Sequence, residues 1–161
     1  MKTCFSTALT ALLFAGIAVH ATAQVAPAQG AYNTTEDNVA IEGYDVVSYF
    51  TQYEAQQGSS AHAHAHDGVM YHFASAENKA LFAASPEQFL PQYGGFCAFG
   101  LGKVQKKFPV DPEVFKIVDD ELFLFFNGPI RGNVVNSIVP WNADEASLKA
   151  AADVAWASQN H

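Results

Sequence analysis

An alternating histidine–alanine segment followed at once by a turn signal is the strongest local constraint on this chain. Residues 62–66 read His-Ala-His-Ala-His, Asp67-Gly68 favours a two-residue type I′ turn, and Val69–Phe73 is rich in β-forming residues. A repeat of two residues is the period of a β-strand and does not fit a helix. The sequence therefore predicts a β-hairpin.

The two-residue turn also predicts which side chains share a face of the hairpin, because directly opposed residues point to the same side of a sheet. In this register each histidine faces an apolar residue: His66 opposite Val69, His64 opposite Tyr71, and His62 opposite Phe73. Met70 and His72 are expected on the other face. A slip of one residue would exchange the two faces.

The three histidines are candidate metal ligands. Residues two apart on a strand are about 6.6–7 Å apart and point the same way, so two imidazoles can converge on one ion. Neutral imidazole suits both zinc and copper. The outer histidines are about 13 Å apart on a straight strand, so the expected site combines two of His62, His64 and His66 with a ligand from elsewhere. The alternative is a solvated edge strand with incidental histidines.

Cys97 is the candidate ligand from elsewhere. As a thiolate it would favour Cu(I) or Zn(II), whereas the alternative is a cysteine that simply packs in the core. Met70 and His72 form a second, weaker metal candidate. Together the predicted metal ligands are His62, His64, His66 and Cys97, and the expected cofactor is a copper or zinc ion.

The first 23 residues have the pattern of a secretory signal peptide. Lys2 precedes an apolar run over residues 9–19, and Ala21-Thr22-Ala23 supplies the small residues of a cleavage site, which we place after Ala23. The run is shorter than the ~20 apolar residues that span a bilayer. We therefore expect a protein of the periplasm or a secreted protein, not membrane-spanning, in which Cys97 is the single remaining cysteine.

The charge of the chain narrows the classes of partner. Its formal net charge is −8, and no basic stretch suits a phosphate backbone, which argues against nucleic acid. The expected partners are a metal ion and another periplasmic or membrane protein that handles metal. No Ser/His/Asp arrangement, phosphate loop or nucleotide fingerprint is present in the sequence, so we predict a binding protein without catalytic residues in preference to an enzyme.

Local signals along the rest of the chain predict a mixture of helices and strands. The expectations are a flexible leader over residues 24–38, a β-rich run within residues 39–51, a helix over Ala76–Ala84 capped by Ser75 with Leu81 and Phe82 inward, strands at 115–118 and 122–127, and a last helix from Asn142 to about Ser158. The prediction is an α+β fold, in which residues 39–161 form one small domain with a hairpin or short antiparallel sheet, packed helices and a C-terminal helix.

Segments along most of the chain resemble the YHS-domain family in its exported bacterial branch. They are residues 43–50 (GYDVVSYF), 71–75 (YHFAS) with Glu77-Asn78, 91–98 (PQYGGFCA), 111–113 (DPE), 117–119 (IVD) and 122–124 (LFL). The resemblance implies a treble-clef-like α+β domain connected with heavy-metal handling. Metal-binding relatives carry cysteines in the first motif and at the strand-to-helix junction, where this chain has Tyr44–Val47 and then Ala74 and Asn78.

Three functions are compatible with these observations, in order of preference. The first is an exported metal-associated binding protein that handles copper or zinc through the histidine strand. The second is a structural or interaction domain of the periplasm that binds no metal and has no catalytic activity. The third is a redox or hydrolytic metalloenzyme built on the same histidines, which requires an open coordination position beside a cleft.

Overall fold

The structure is a computed structural model that describes residues 30–130 and 132–160 of the chain. Its helices are α1 (Val46–Thr51), α2 (Ala76–Ala84), α3 (Ala98–Val104), α4 (Ile138–Ala143) and α5 (Glu145–Gln159). Its strands are β1 (Ser59–His66), β2 (Val69–Phe73), β3 (Asp111–Val118), β4 (Glu121–Phe125), β5 (Asn127–Ile130) and β6 (Asn133–Asn136). The predicted signal peptide, its cleavage site after Ala23 and leader residues 24–29 lie outside the described residues.

The strands form three antiparallel two-stranded sheets within the described residues, with β1 beside β2, β3 beside β4 and β5 beside β6. With helices packed around these short sheets, the predicted α+β fold with a C-terminal helix is confirmed. In the described part of the chain, no helix is both long enough and apolar enough to cross a membrane.

The predicted hairpin is present, and its register is correct except at one end. Asp67 and Gly68 have φ angles of 48° and 78°, the positive values that a type I′ turn requires. His66 pairs with Val69 and His64 with Tyr71, but Phe73 pairs with Ser59 across an irregularity that falls between Ser59 and Ala63. The predicted pairing of His62 with Phe73 is therefore wrong, because extra residues of β1 are accommodated there as in a β-bulge.

The segment predicted to be β-rich before the hairpin forms helix α1 instead. Asp45 caps this helix: its backbone is extended and its side chain accepts a hydrogen bond from the Val47 amide at 2.8 Å. Val46, Val47 and Tyr49 are fully buried, and the Tyr49 hydroxyl donates to the Pro112 carbonyl at 2.8 Å. Capping and burial thus override the preference of β-branched residues for strands.

The Asp45 carboxylate joins three elements. Besides capping α1, it accepts hydrogen bonds from the Ala74 amide, just after β2, at 2.8 Å and from the Asn78 side chain of α2 at 2.7 Å. Helix α2 begins as predicted, with the Ser75 hydroxyl accepting from the Asn78 amide. Phe82 is buried as expected, but Leu81 is 44% exposed, so its predicted inward orientation is wrong.

The second half of the chain packs helices onto strands β3 and β4. Isolated bridges place Pro91 beside Leu122 and Cys97 beside Leu124, so the glycine-rich segment lies along β4. Helix α3 then approaches α5 so closely that a Cβ atom on Gly102 would lie 2.4 Å from the Leu148 carbonyl oxygen. Only glycine allows this contact.

The C-terminal helix begins later than predicted. The structure has the short helix α4 and then α5, which starts at Glu145 after the N-cap residue Asp144. The Glu145 carboxylate accepts hydrogen bonds from the Trp141 indole at 3.1 Å and from Lys116 at 2.7 Å. Glu145 therefore connects the two helices and β3, a role that its spacing from Asn142 does not reveal.

Residues 30–38, predicted as part of a flexible leader, instead pack on the body of the protein. The Asn33 amide donates to the Gly94 carbonyl at 2.8 Å, and the Asn33 side chain donates to the Gly95 carbonyl. Thr34 forms an antiparallel bridge with Ala40. Gly94 and Gly95 are some sixty residues from Asn33 in the chain, so local polarity does not predict these contacts.

We expect the Asp45→Ala variant to lose roughly 3–5 kcal/mol of unfolding free energy, because three donors, two of them on the buried residues Val47 and Asn78, lose their acceptor together. Asp144→Ala is the matched control: Asp144 is also an N-cap residue, but its side chain makes no capping hydrogen bond and it is exposed. Urea unfolding should show a change within about 0.5 kcal/mol for the control. Equal effects of the two substitutions would contradict the role assigned to Asp45.

The Glu145 contacts predict a dependence of stability on pH. The hydrogen bond from Lys116 is the main cause that lowers the pKa of Glu145 below its ordinary value of 4.5, and the bond from Trp141 also lowers the pKa. A lowered pKa in the folded state gives stability that is present above pH 4.5 and is lost as the pH falls through the folded value. Glu145→Gln should cost less than about 1 kcal/mol near neutral pH, and urea unfolding in acid should show that difference vanish.

Candidate metal centre

One face of the hairpin packs on Phe82 of α2. The ring centroids of His64 and His66 lie 5.9 and 5.7 Å from that of Phe82, with nearly perpendicular ring planes. Tyr71 and Phe73 contact the same ring at 4.8 and 5.1 Å. The prediction that these side chains share a face is therefore confirmed, and this face points inward.

His62 is placed apart from the other two histidines. It lies within the irregular part of β1, where the regular pairing with β2 is interrupted. Among the described residues, the rings that contact Phe82 do not include His62. The structure thus brings together His64 and His66 and leaves His62 outside that arrangement.

The outer ring nitrogen of His66 faces two carboxylates. Its Nε2 atom is buried and has no hydrogen-bond partner among the described residues. This atom lies 3.7 Å from Oδ2 of Asp67 and 3.6 Å from Oε1 of Glu87, too far for good hydrogen bonds. The imidazole is 20% exposed, whereas the side chains of Asp67 and Glu87 are 62% and 81% exposed. A fixed nitrogen is thus surrounded by two carboxylates that have room to rotate.

Tyr32 lies beside the same carboxylates. Burial is the main cause that raises the pKa of its hydroxyl, and the negative charges of Asp67 and Glu87 raise this pKa further. The hydroxyl therefore stays protonated at neutral pH and is available as a hydrogen-bond donor next to the two carboxylates.

The His66 nitrogen and the carboxylate oxygens of Asp67 and Glu87 are donor types that zinc binds. With Zn–N and Zn–O bonds of about 2.0–2.2 Å, the ligand atoms of a tetrahedral site are about 3.3–3.6 Å apart. The distances from His66 to the two carboxylates are close to this separation. In the described ranges, no group of three or more His, Cys, Asp or Glu side chains already stands in position to hold a metal ion. Binding at this place therefore requires the exposed carboxylates to turn inward.

Cys97 belongs to a different part of the fold. Its side chain is buried, its Sγ accepts a hydrogen bond from the Phe126 amide at 3.3 Å, and Sγ lies 3.4 Å from the Ser137 hydroxyl. Among the described residues, the polar contacts of the Cys97 side chain are thus with Phe126 and Ser137 and include no histidine. The structure does not assemble the predicted set of three histidines and Cys97 into one site.

Met70 and His72 lie on the other face of the hairpin, as predicted. Met70 forms a parallel bridge with Val39, and its backbone bonds to both Asn38 and Ala40. The His72 ring lies against the backbone of Gly43, where a Cβ atom would be 3.3 Å from Nδ1. The backbone edge of β2 and the His72 ring therefore hold the segment before α1 in place.

Asp67 and Glu87 are site residues that the predicted ligand set does not include. The Asp67-Gly68 pattern indicates a turn, but the position of Asp67 next to His66 also places a carboxylate beside the last imidazole of the strand. Glu87 lies in the short helical turn Pro86–Gln88, and no local signal connects it with the hairpin. Only the packing of the segment after α2 brings its carboxylate to His66.

Comparisons with known proteins identify no relative of this chain. No protein-family model matches the chain, and neither curated proteins nor solved structures include a significant match. The candidate site therefore rests on the chemistry and geometry of its own residues.

We expect Phe82→Ala to destabilise the protein by roughly 3–5 kcal/mol, because it removes the ring on which both histidines and two hairpin aromatics pack. Leu81→Ala, on the exposed side of the same helix, is the matched control and should cost less than about 1 kcal/mol. Urea unfolding measures both values. If the two variants are equally stable, Phe82 is not the support of this face.

Proposed function

We propose that this chain is an exported metal-associated binding protein that holds a zinc or copper ion at the turn of its hairpin. His66 is the anchoring ligand, and Asp67 and Glu87 close around the ion. The observation that carries the proposal is the buried Nε2 of His66, which has no hydrogen-bond partner in the described part of the chain and faces two carboxylates at 3.6–3.7 Å.

The energetics of the imidazole support this proposal. A buried polar atom without a partner costs about 1–3 kcal/mol, and a bound cation would remove that cost. The ring of His66 is held edge-on against Phe82, so little side-chain entropy is lost when it binds. The negative charges of Asp67 and Glu87 add attraction for a cation. The imidazole nitrogen of His66 is therefore held in place, whereas the carboxylate oxygens of Asp67 and Glu87 can move to suit the ion.

The donor types suggest which metal ions fit. One imidazole with two carboxylates suits Zn(II) or Cu(II), whereas Cu(I) prefers the sulfur of thiolates and thioethers. Because Cys97 bonds with Phe126 and Ser137, it is not a ligand in this proposal. His62 is likewise not required. Three protein ligands leave at least one position for water or for exchange with a metal-handling partner.

The cellular setting of the proposal comes from the sequence. The signal-peptide pattern before Ala23 supports a protein of the periplasm or a secreted protein. The resemblance of residues 43–50, 71–75 and 91–98 to the YHS-domain family supports a connection with metal handling.

If the protein binds no metal, the same contacts favour a second function, that of an interaction domain. A protonated His66 would form ion pairs with Asp67 and Glu87, and the hairpin face would then be a purely structural feature of an interaction domain. A direct metal titration distinguishes the two functions.

We expect residues 24–161, purified without a metal-binding tag, to take up one Zn(II) or Cu(II) per chain in isothermal titration calorimetry. His66→Ala should lower the affinity by more than the ~10–100-fold that loss of an outer-shell partner costs. Glu87→Gln should weaken binding, because it keeps the shape of the side chain and removes its charge. Tyr32→Phe should have a smaller effect.

His62→Ala and Cys97→Ala are the controls for this titration. The first changes a histidine of the same strand, and the second removes the buried thiol. Both variants should bind metal as the unchanged chain does. Loss of binding in either control, with His66→Ala unaffected, would contradict the assigned ligands, and absence of binding in the unchanged chain would favour the interaction domain.

A further inference from the structure

An apolar cavity of about 420 Å³ lies between α3 and the β5–β6 hairpin, away from the histidine face. Phe99, Val104, Phe108, Ile130 and Val135 line most of it. Small-molecule sites in proteins measure roughly 300–1,000 Å³ and are lined mainly by apolar side chains. The cavity is thus large enough for an organic ligand and has the lining expected of an apolar one.

Two polar side chains of the described residues line the cavity, and both are already hydrogen-bonded within the protein. The Ser137 hydroxyl donates a hydrogen bond to the Phe126 carbonyl at 2.9 Å. Cys97 Sγ accepts one from the Phe126 amide at 3.3 Å. Each group already has a hydrogen-bond partner in the protein, so neither requires one from a ligand at the base of the cavity. This chemistry favours a hydrocarbon over a sugar, a nucleotide or a peptide backbone.

Large apolar side chains surround the entrance and remain exposed. Val104, Phe108 and Ile130 have 51%, 40% and 45% of their surface accessible, although each also lines the cavity. An elongated apolar molecule entering between α3 and β5 would cover these side chains and fill the space behind them. The apolar surface therefore continues from the rim into the interior.

Helical spacing places one lysine of α3 near the entrance, although no charged side chain of the described residues lines the cavity itself. Lys103 is one helical turn from Phe99 and next to Val104, so it lies on the face of α3 that borders the cavity. It is exposed and forms no salt bridge with any residue of the described chain. Lys106 follows on the loop beside the same helix. The positive charges of Lys103 and Lys106 would attract the anionic end of a ligand.

We propose that this cavity binds single-chain carboxylates of the fatty-acid class. The aliphatic tail occupies the space lined by Phe99, Phe108 and Val135 and reaches towards Cys97. The carboxylate remains at the entrance, beside Lys103. This site shares no residue with the proposed metal centre, so the two proposals stand or fall separately.

The first test is calorimetric titration of the full chain with octanoate, decanoate and dodecanoate below their micelle concentrations. Each added methylene that enters the cavity should tighten binding by about fourfold. Val135→Trp fills the cavity and should weaken dodecanoate binding at least tenfold. Val134→Trp is the matched control: it is the neighbouring residue of β6, is 79% exposed and should leave binding unchanged.

The second test addresses the carboxylate. Lys103→Gln should weaken dodecanoate binding by about two- to fivefold, the range of one exposed ion pair, and leave dodecanol binding unchanged. Lys79→Gln on α2 changes the same charge elsewhere and is the control. Equal affinity of the unchanged chain for dodecanoate and dodecanol would overturn the role of Lys103.

The third test locates the ligand without a substitution that could disturb folding. Bound dodecanoate should slow the alkylation of Cys97 by N-ethylmaleimide, measured on the Cys97 peptide by mass spectrometry. The proposal is overturned if dodecanoate does not bind, if it binds without protecting Cys97, or if a folded Val135→Trp variant binds normally. Sedimentation with phosphatidylglycerol vesicles in the absence of dodecanoate binding would assign the rim to a membrane surface and would also overturn it.

Discussion

One buried carboxylate, that of Asp45, holds together the part of the molecule on which the candidate metal centre depends. It is fully buried and accepts hydrogen bonds from α1, from the end of β2 and from Asn78 of α2. Charge-assisted hydrogen bonds are strong, and a buried charge is tolerated only when such donors surround it. The position of α2 against the hairpin is fixed in this way. Because α2 supplies Phe82, the orientation of His64 and His66 depends on a residue that contacts neither of them.

The parts of the fold that could be predicted are those with a strong local signal. The Asp67-Gly68 turn, the Ser75 cap and the alternation before the turn each specify a conformation within a few residues, and the structure agrees with all three. Helix α1 was missed because its conformation depends on burial against distant residues, which outweighs the strand preference of its valines. The pairing of Phe73 with Ser59 was missed because hairpin register is predictable only near the turn.

The same distinction explains how much of the candidate site was predictable. Two of the three histidines share the expected face, since a period of two residues dictates it. Glu87 could not be found, because its approach to His66 depends on the turn after α2 and not on any spacing in the sequence. Cys97 was a reasonable candidate by residue type, but residue type does not reveal position. The backbone of Phe126, almost thirty residues later, fixes where its sulfur lies.

The place of Cys97 also bears on the kind of metal centre that this fold can support. A thiolate beside the histidines would bind copper or zinc tightly, and release would then require a competing thiol. With the sulfur of Cys97 bonded to Phe126 and Ser137, the candidate metal centre has nitrogen and oxygen donors, two of which are exposed carboxylates. Such ligands exchange readily with solvent and with other carboxylates or imidazoles. If the metal proposal holds, the hairpin is therefore better suited to passing an ion on than to retaining it, whereas a structural zinc site is closed by four protein ligands.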